Sequence, residues 1–463
     1  MRRHFLYSFC LLCVLSIGKI HAQLKEPSLK ELVEAAINKD YRLANQRLDV
    51  ALTEVDQRLL KEAYLPRVDI SGKEAFLFSS FAVKSQEIQI PQLDIDIKTG
   101  RNRFSMVSNL VMAGAGGNML LYSGGKIPHL KRALEEKVKA QTEIMEKDRQ
   151  EIIGAITAAY DQLALLKQIR LVLDDSEKRL AENKKTADKA FGYGLITKYE
   201  HQKIEVAQAQ LASKIQDYEG KRTLVLRQLF LLTDVESERL ALINNGLNPL
   251  EGPLTDNNIE NRAELKALDA AIEANRFKIK AEKTWFVPKV QAAASLGYLG
   301  LLGGHLSSRD PVSLTGEKLS AGMPNLNILP TFNIGVGFKW DLFDGNQGKR
   351  EVQKAEIEFS KTKNERKEVE EKLELNLTKS QTDFTSALSQ VQVRYKQQET
   401  ADNALKQATK EYRTGLIKSS QLIDAEEDFQ QAALGFIQAV YNQRRSYIDL
   451  LKATGNLTIQ AIQ

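Results

Sequence analysis

Beyond its first 22 residues the chain has three histidines, His129, His201 and His305. A histidine can hold a metal or move a proton, but these are widely separated and none sits in a metal-ligand spacing. Two acidic runs, Asp174-Asp175 and Glu426-Glu427-Asp428, are the next candidates. They fall in helical patterns and read as solvated helix faces rather than as a metal site. No nucleophile motif or phosphate-binding loop is present. The glycines from Gly297 to Gly304 form no fingerprint and read as strand and loop. Both cysteines, Cys10 and Cys13, lie in the N-terminal leader, which leaves no disulfide, thiol nucleophile or cysteine metal site after it. The expectation is a chain with no catalytic residue, no metal and no cofactor, and so not an enzyme.

The leader opens with Arg2 and Arg3, continues through an apolar Phe5–Ile17 segment and closes with Ile20-His21-Ala22 before Gln23. It reads as a signal peptide over residues 1–22. A signal anchor is the alternative, and the short apolar core followed by polar Gln23–Lys30 argues against it. Arg2, Arg3 and Lys19 leave with the leader, taking the formal net charge from +5 to +2. Near neutrality without a basic block makes nucleic acid an unexpected partner. No later apolar run is long enough for a transmembrane helix, so any membrane crossing has to be made by strands.

The chain is written twice. Tyr64-Leu65-Pro66-Arg67-Val68 matches Phe286-Val287-Pro288-Lys289-Val290, and Leu121-Tyr122-Ser123-Gly124-Gly125 matches Leu342-Phe343-Asp344-Gly345-Asn346. Phe191-Gly192-Tyr193-Gly194-Leu195-Ile196 matches Tyr412-Arg413-Thr414-Gly415-Leu416-Ile417 at an offset of 221. Three landmarks in one order at nearly one offset predict two structural repeats. The first covers 23–234, with a strand hairpin at about 66–122 and a helical tip near 194. The second covers 261–463, with a strand hairpin at about 288–343 and a tip near 415. Residues 235–260 form a loop-rich connector with Asn244-Asn245-Gly246, Pro249, Gly252 and Pro253.

Proline separates helix from strand. None occurs between Pro128 and Pro249, or after Pro330, and proline is nearly excluded from helix interiors. Ile152, Ile153, Ile156, Ala159, Tyr160 and Leu163 recur at helical spacing, as do Leu422, Ile423, Phe429, Ala432, Ala433 and Phe436. Lys126–Phe191 as helix would run roughly 100 Å at about 1.5 Å per residue, a coiled-coil rod. Gly194 and Gly415 can take positive φ and turn each rod back. Leu195-Ile196 and Leu416-Ile417 then form an exposed apolar pair at each tip, a candidate docking knob. The alternative is that they pack within their own hairpins.

After each proline-centred motif the period becomes two. In Thr331–Phe343, Phe332, Ile334, Val336, Phe338, Trp340 and Leu342 face one way, and Thr331, Asn333, Gly335, Gly337, Lys339 and Asp341 the other. Val68, Ile70, Phe76 and Phe78 make a stripe in the first repeat, interrupted by Glu74. A half-buried soluble hairpin would show this pattern too; export and the length of the strands favour a membrane barrel. Phe338 and Trp340 near a strand end suit an interfacial girdle. Four long strands cannot close a barrel, and open edges in lipid leave backbone groups unpaired, so a barrel requires several copies.

The duplicated order of helix, Tyr-Leu-Pro-Arg-Val-type turn, hairpin, Leu-Tyr-Ser-Gly-Gly or Leu-Phe-Asp-Gly turn, long helix, Gly-Leu tip and return helix resembles the TolC-like outer-membrane efflux protein family. Asn261-Arg262-Ala263-Glu264-Leu265 resembles that family's Asn-Arg-Pro-Glu-Leu, with Ala263 in place of proline. The resemblance covers essentially the whole chain after the leader. It implies a mainly α fold with a β-barrel portion: long coiled-coil helical hairpins plus four transmembrane strands per protomer, in a homotrimer. It implies placement in the outer membrane of a Gram-negative cell, extending into the periplasm, with outer-membrane lipid around the barrel. A periplasmic adaptor would dock at the tips and couple to an inner-membrane RND or ABC pump. Tyr412 and Asp424 match the family's entrance-gate pattern. Gln421 stands where an acid is common and Ile417 where a base can occur, which predicts a hydrogen-bonded or apolar constriction rather than a salt-bridge lock. The expected function is an exit duct in tripartite efflux or type I secretion. The alternative is a soluble periplasmic coiled-coil scaffold or adaptor, which would not need two strand pairs with aromatic stripes.

Overall fold

The computed structural model describes residues 25–85, 88–90, 95–97, 100–250, 258–312 and 317–462. The leader at 1–22 and positions 251–257 of the connector lie outside the described residues. The elements are α1 (Leu29–Lys39), α2 (Tyr41–Glu62), β1 (Arg67–Ser85), β2 (Ile88–Ile90), β3 (Ile95–Ile97), β4 (Gly100–Tyr122), α3 (Lys126–Gly192), α4 (Lys198–Thr233) and α5 (Ser237–Leu240), then α6 (Ala263–Glu282), β5 (Lys289–Ser308), β6 (Ser320–Gly322), β7 (Leu326–Lys339), α7 (Gln347–Arg413) and α8 (Ser419–Ala453). The fold is mainly helical with a sheet portion, as the sequence predicts.

α3 and α7 are each 67 residues long. Pro128 falls in the first turn of α3, where a missing N–H costs no helical bond. α1 begins where the Ser28 hydroxyl accepts the Glu31 N–H at 3.2 Å, satisfying one of the donors that a helix start leaves open. It does not run smoothly into α2. Asp40 takes an extended backbone and ends α1, and its carboxylate accepts the Leu43 N–H at 2.8 Å to start the next helix.

The strands are antiparallel. β1 pairs β4, β4 pairs β5, and both β6 and β7 pair β5. The short β6 and the separate β2–β3 ladder are additions to the four strands expected. Directly opposed residues of antiparallel strands share a face. Phe76 stands opposite Asn109, Asn109 opposite Leu302, and Leu296 opposite Phe332. Followed across the sheet, this register puts Val68, Ile70, Phe76 and Phe78 on the same face as Leu296, Phe332, Ile334, Val336 and Phe338. Glu74 lies on that face too. The opposite face carries Asp69, Ser71, Gly114, Gly116, Ser295, Gly297, Asn333 and Gly335. One side of the sheet is apolar and aromatic; the other is small and polar at these positions and carries Leu110, Met112, Leu299 and Leu301 beyond them.

The apolar stripe ends sooner than the alternation in the sequence predicts. β7 stops at Lys339, so Trp340 and Leu342 are not strand residues. Lys339 pairs with Lys289, the first residue of β5, and Pro288 before it has no N–H to continue the ladder.

The chain divides into two compact units. One contains the described residues up to Arg47 with Glu143–Lys266 and Glu368–Gln463; the other contains Leu48–Thr142 and Ala267–Lys367. The first has a core of Leu32, Val33, Ile156, Leu166, Leu173 and Leu229, all nearly or fully buried. The second contains the sheet.

Candidate functional site

Both helical tips turn on a glycine. Gly194 has φ +71° and Gly415 φ +74°, and open space surrounds the position of an added Cβ at each. The Leu195 N–H reaches back to the Ala190 carbonyl at 2.8 Å and the Leu416 N–H to the Glu411 carbonyl at 2.9 Å. These six-residue returns close the last carbonyls of α3 and α7. Leu195 and Leu416 are each 76% exposed, whereas Ile196 and Ile417 are half-buried. The exposed part of each predicted pair is therefore mainly its leucine.

The helices that leave the tips are capped differently. In α4 the Thr197 hydroxyl accepts the Glu200 N–H at 3.3 Å. In α8 the Gln421 side-chain oxygen accepts the Lys418 N–H at 3.1 Å, so this predicted gate residue is engaged in capping its own helix. Glu200 also reaches the other tip: the buried Ser419 hydroxyl lies 3.2 Å from its carboxylate. Tyr412 is half-buried. Burial, and then the charge of Glu200, push its hydroxyl above the ordinary tyrosine range. Asp424 is exposed. The structure thus draws Tyr412 and Ser419 toward Glu200, while Asp424 faces solvent. Glu200 escaped the sequence reading although Thr197-Lys198-Tyr199-Glu200 has capping-box spacing.

The acidic runs divide. Asp174 pairs with Arg170 at 2.8 Å on a half-exposed face, but Glu426 is only 2% exposed and is not solvated. Arg179 of α3 donates to both of its oxygens, at 2.9 and 2.8 Å. The same guanidinium donates to Ser176 Oγ at 2.9 Å and lies over the Phe429 ring. A second pair of this kind joins Arg444 of α8 to Asp161 of α3, with both bonds at 2.8 Å. Burial pushes the Asp161 carboxyl up, against the pull of Arg444.

At the sheet, Phe338 is exposed on the apolar face. Trp340, beyond the strand, donates its indole N–H to the Phe286 carbonyl at 2.8 Å. The histidines remain apart: His201 contacts Asp188 at 2.6 Å and His305 contacts Ser320 at 3.1 Å. Among the described residues no group of three or more His, Cys, Asp or Glu is placed to hold a metal, and no helix is long and apolar enough to cross a membrane.

Residues 254–456 match the family model for the outer membrane efflux protein. The chain is similar in structure to the CmeC outer membrane channel of Campylobacter jejuni, with TM-score 0.68, 16% identity and coverage of 92% of this chain and 85% of that one. It is also similar to the outer membrane protein VceC of Vibrio cholerae, with TM-score 0.66, 17% identity and coverage of 92% and 96%. The MtrE outer membrane channel of Neisseria gonorrhoeae, in its open state, gives TM-score 0.63 at 14% identity, over 96% and 95%. At such identities the likeness is one of fold. No curated protein matches the sequence. The family model is thus matched across the second half of the chain, and the fold of these outer membrane channels is shared along its length.

Proposed function

We propose that three copies of this chain form a passive exit duct, taking solute from a periplasmic adaptor and an inner-membrane RND or ABC pump to the exterior. The sheet carries this reading. It has one apolar aromatic face, an opposite face that is small and polar around Asp69, Gly116, Ser295 and Asn333, and edge strands β1 and β7 that each pair on one side only among the described residues. Backbone groups left unpaired in lipid cost several kcal/mol each. Pairing β1 of one copy with β7 of the next removes both edges and encloses a polar lumen. α2 supports the same assembly, since it leaves Leu48, Leu52, Val55 and Leu59 exposed along one side, a helix face that calls for a neighbour.

In this reading Phe338 and Trp340 belong to the interfacial girdle. Gly194, Leu195, Ile196, Gly415, Leu416 and Ile417 form the periplasmic tips on which the adaptor docks. Tyr412, Gln421 and Asp424 belong to the entrance gate, and the two repeats at 23–234 and 261–463 flank the connector at 235–260. MtrE has been described in an open state, in keeping with an entrance that alternates between closed and open. Energy comes from the pump, and the duct itself performs no chemistry.

Cross-linking of the detergent-extracted protein tests the assembly. The expected product is a trimer from the outer-membrane fraction. A monomer in the soluble periplasm would overturn the reading in favour of a coiled-coil scaffold.

A further inference from the structure

The second hairpin carries one polar pattern twice. On α7 it is Asn376, Lys379, Ser380 and Asp383; on α8 it is Asn442, Arg445, Ser446 and Asp449, in the same order and at the same spacing. Such spacing puts each set on one face of its helix. Both faces line a single cleft of about 540 Å³. The cleft lies wholly within the compact unit that contains Glu143–Lys266 and Glu368–Gln463. α7 and α8 meet where the Phe384 ring packs on the Tyr447 ring, with centroids 5.3 Å apart. On antiparallel helices this contact sets Asp383 across from Asp449.

Lys379–Asp383 and Arg445–Asp449 are each a base followed by an acid four positions on, the spacing at which opposite charges meet on a helix. Three pairs of this kind on α3 close: Lys131 with Glu135 at 3.5 Å, Lys147 with Glu151 at 3.6 Å and Arg170 with Asp174 at 2.8 Å. In the cleft neither pair closes. Among the described residues none of these four side chains makes an ion pair or a hydrogen bond. Other charges around the cleft are engaged, Glu151 with Arg42 at 3.2 Å and Arg262 with Glu264. Lys452, one turn beyond Asp449, adds a further ammonium.

Burial pushes the Asp449 carboxyl up. Arg445 and Lys452 pull it back, the facing Asp383 adds to the rise and Lys379 opposes it. Two carboxylates facing across a cleft call for a cation between them. A bare metal ion there would stand against the guanidinium and ammonium groups on either side. A molecule with both an amine and a carboxylate satisfies both signs of charge.

We infer that the cleft between α7 and α8 is a binding site for small zwitterions: amino acids or short peptides with a free amine and a free carboxylate. The amine sits between Asp383 and Asp449, and the carboxylate meets Arg445 or Lys379. Charged bonds of both signs fix the ligand's direction as well as its place. The volume falls in the range of small-molecule sites, roughly 300–1,000 Å³. The site needs no conducting path, so its test stands apart from that of the exit duct.

Isothermal titration calorimetry on the full chain, purified in detergent at neutral pH, tests the site with three probes. They are glycylglycine, N-acetylglycylglycine, which lacks the amine, and glycylglycine amide, which lacks the carboxylate. Glycylglycine is expected to bind, and each blocked probe to bind about tenfold more weakly for the loss of a hydrogen bond to a charged group. The double variant Asp383→Asn with Asp449→Asn alters two exposed side chains. It is expected to keep its melting temperature and to lose the discrimination against N-acetylglycylglycine. Lys379→Gln with Arg445→Gln is expected to lose the discrimination against the amide instead, a reciprocal pattern that a merely structural role would not produce. Wild type that binds no probe, or all three alike, overturns the inference and leaves the duct standing. So do double variants that keep the wild-type discrimination. A silent bilayer would remove the duct and leave the site.

Discussion

The two tips have the same turn and different surroundings. Gly194 and Gly415 share a left-handed backbone and an equally exposed leucine after it. Around them Phe191 is replaced by Tyr412, Thr197 by Lys418, Lys198 by Ser419 and Glu200 by Gln421. Reversal of the rod needs only the glycine and the backbone returns. What the copies do not share is polar: an acid on the first tip, and on the second a tyrosine and a buried serine turned toward it. The shared part serves the fold, and the unshared part ties one hairpin to the other.

The largest effect should fall on the shared part. Gly194→Val and Gly415→Val each force a branched residue into the left-handed region, which costs about 1–2 kcal/mol. Denaturant unfolding should show comparable losses at both tips, and a loss at one alone would break the equivalence of the turns. Thr197→Ala should cost about 1 kcal/mol by removing a helix cap. Lys418→Ala should cost no cap, because at the second tip the cap bond runs from the Lys418 backbone to Gln421. Ser419→Ala should cost about 0.5–1.5 kcal/mol for a lost hydrogen bond, while Lys198→Ala at the matching position of the first tip should be near neutral. The smallest effect is alkaline. Burial raises the Tyr412 hydroxyl above its ordinary value of 10.0, so the folded state holds this proton more tightly than the unfolded chain. Its contribution to stability is complete below pH 10 and is lost as the pH rises through the raised value. Tyr412→Phe, which copies the first tip's aromatic residue, should remove that part of the alkaline decline in unfolding midpoint.

Much of this was legible in the residues. Proline-free stretches marked α3 and α7, and the repeated Gly-Leu-Ile marked both reversals. Alternation between Phe332 and Phe338 gave the apolar face of β7. What escaped depends on partners distant in sequence. Glu426 and Glu427 are adjacent and identical in type, yet Glu426 is buried because Arg179, 247 positions away, meets it. The end of β7 is set by Pro288 at the start of a different strand. The break at Asp40 turns on one carboxylate choosing the Leu43 N–H, a local competition that helical periodicity does not register. Pairing Glu200 with Ser419 required knowing that the two tips meet, although its capping role had a recognisable spacing.

The central claim is that this chain, joined to copies of itself, makes a continuous conducting path. Purified wild-type protein added to a planar lipid bilayer tests it most directly. Discrete, stable conductance steps from a cross-linkable trimer are the predicted result. A bilayer that stays silent with folded trimer inserted would contradict the account.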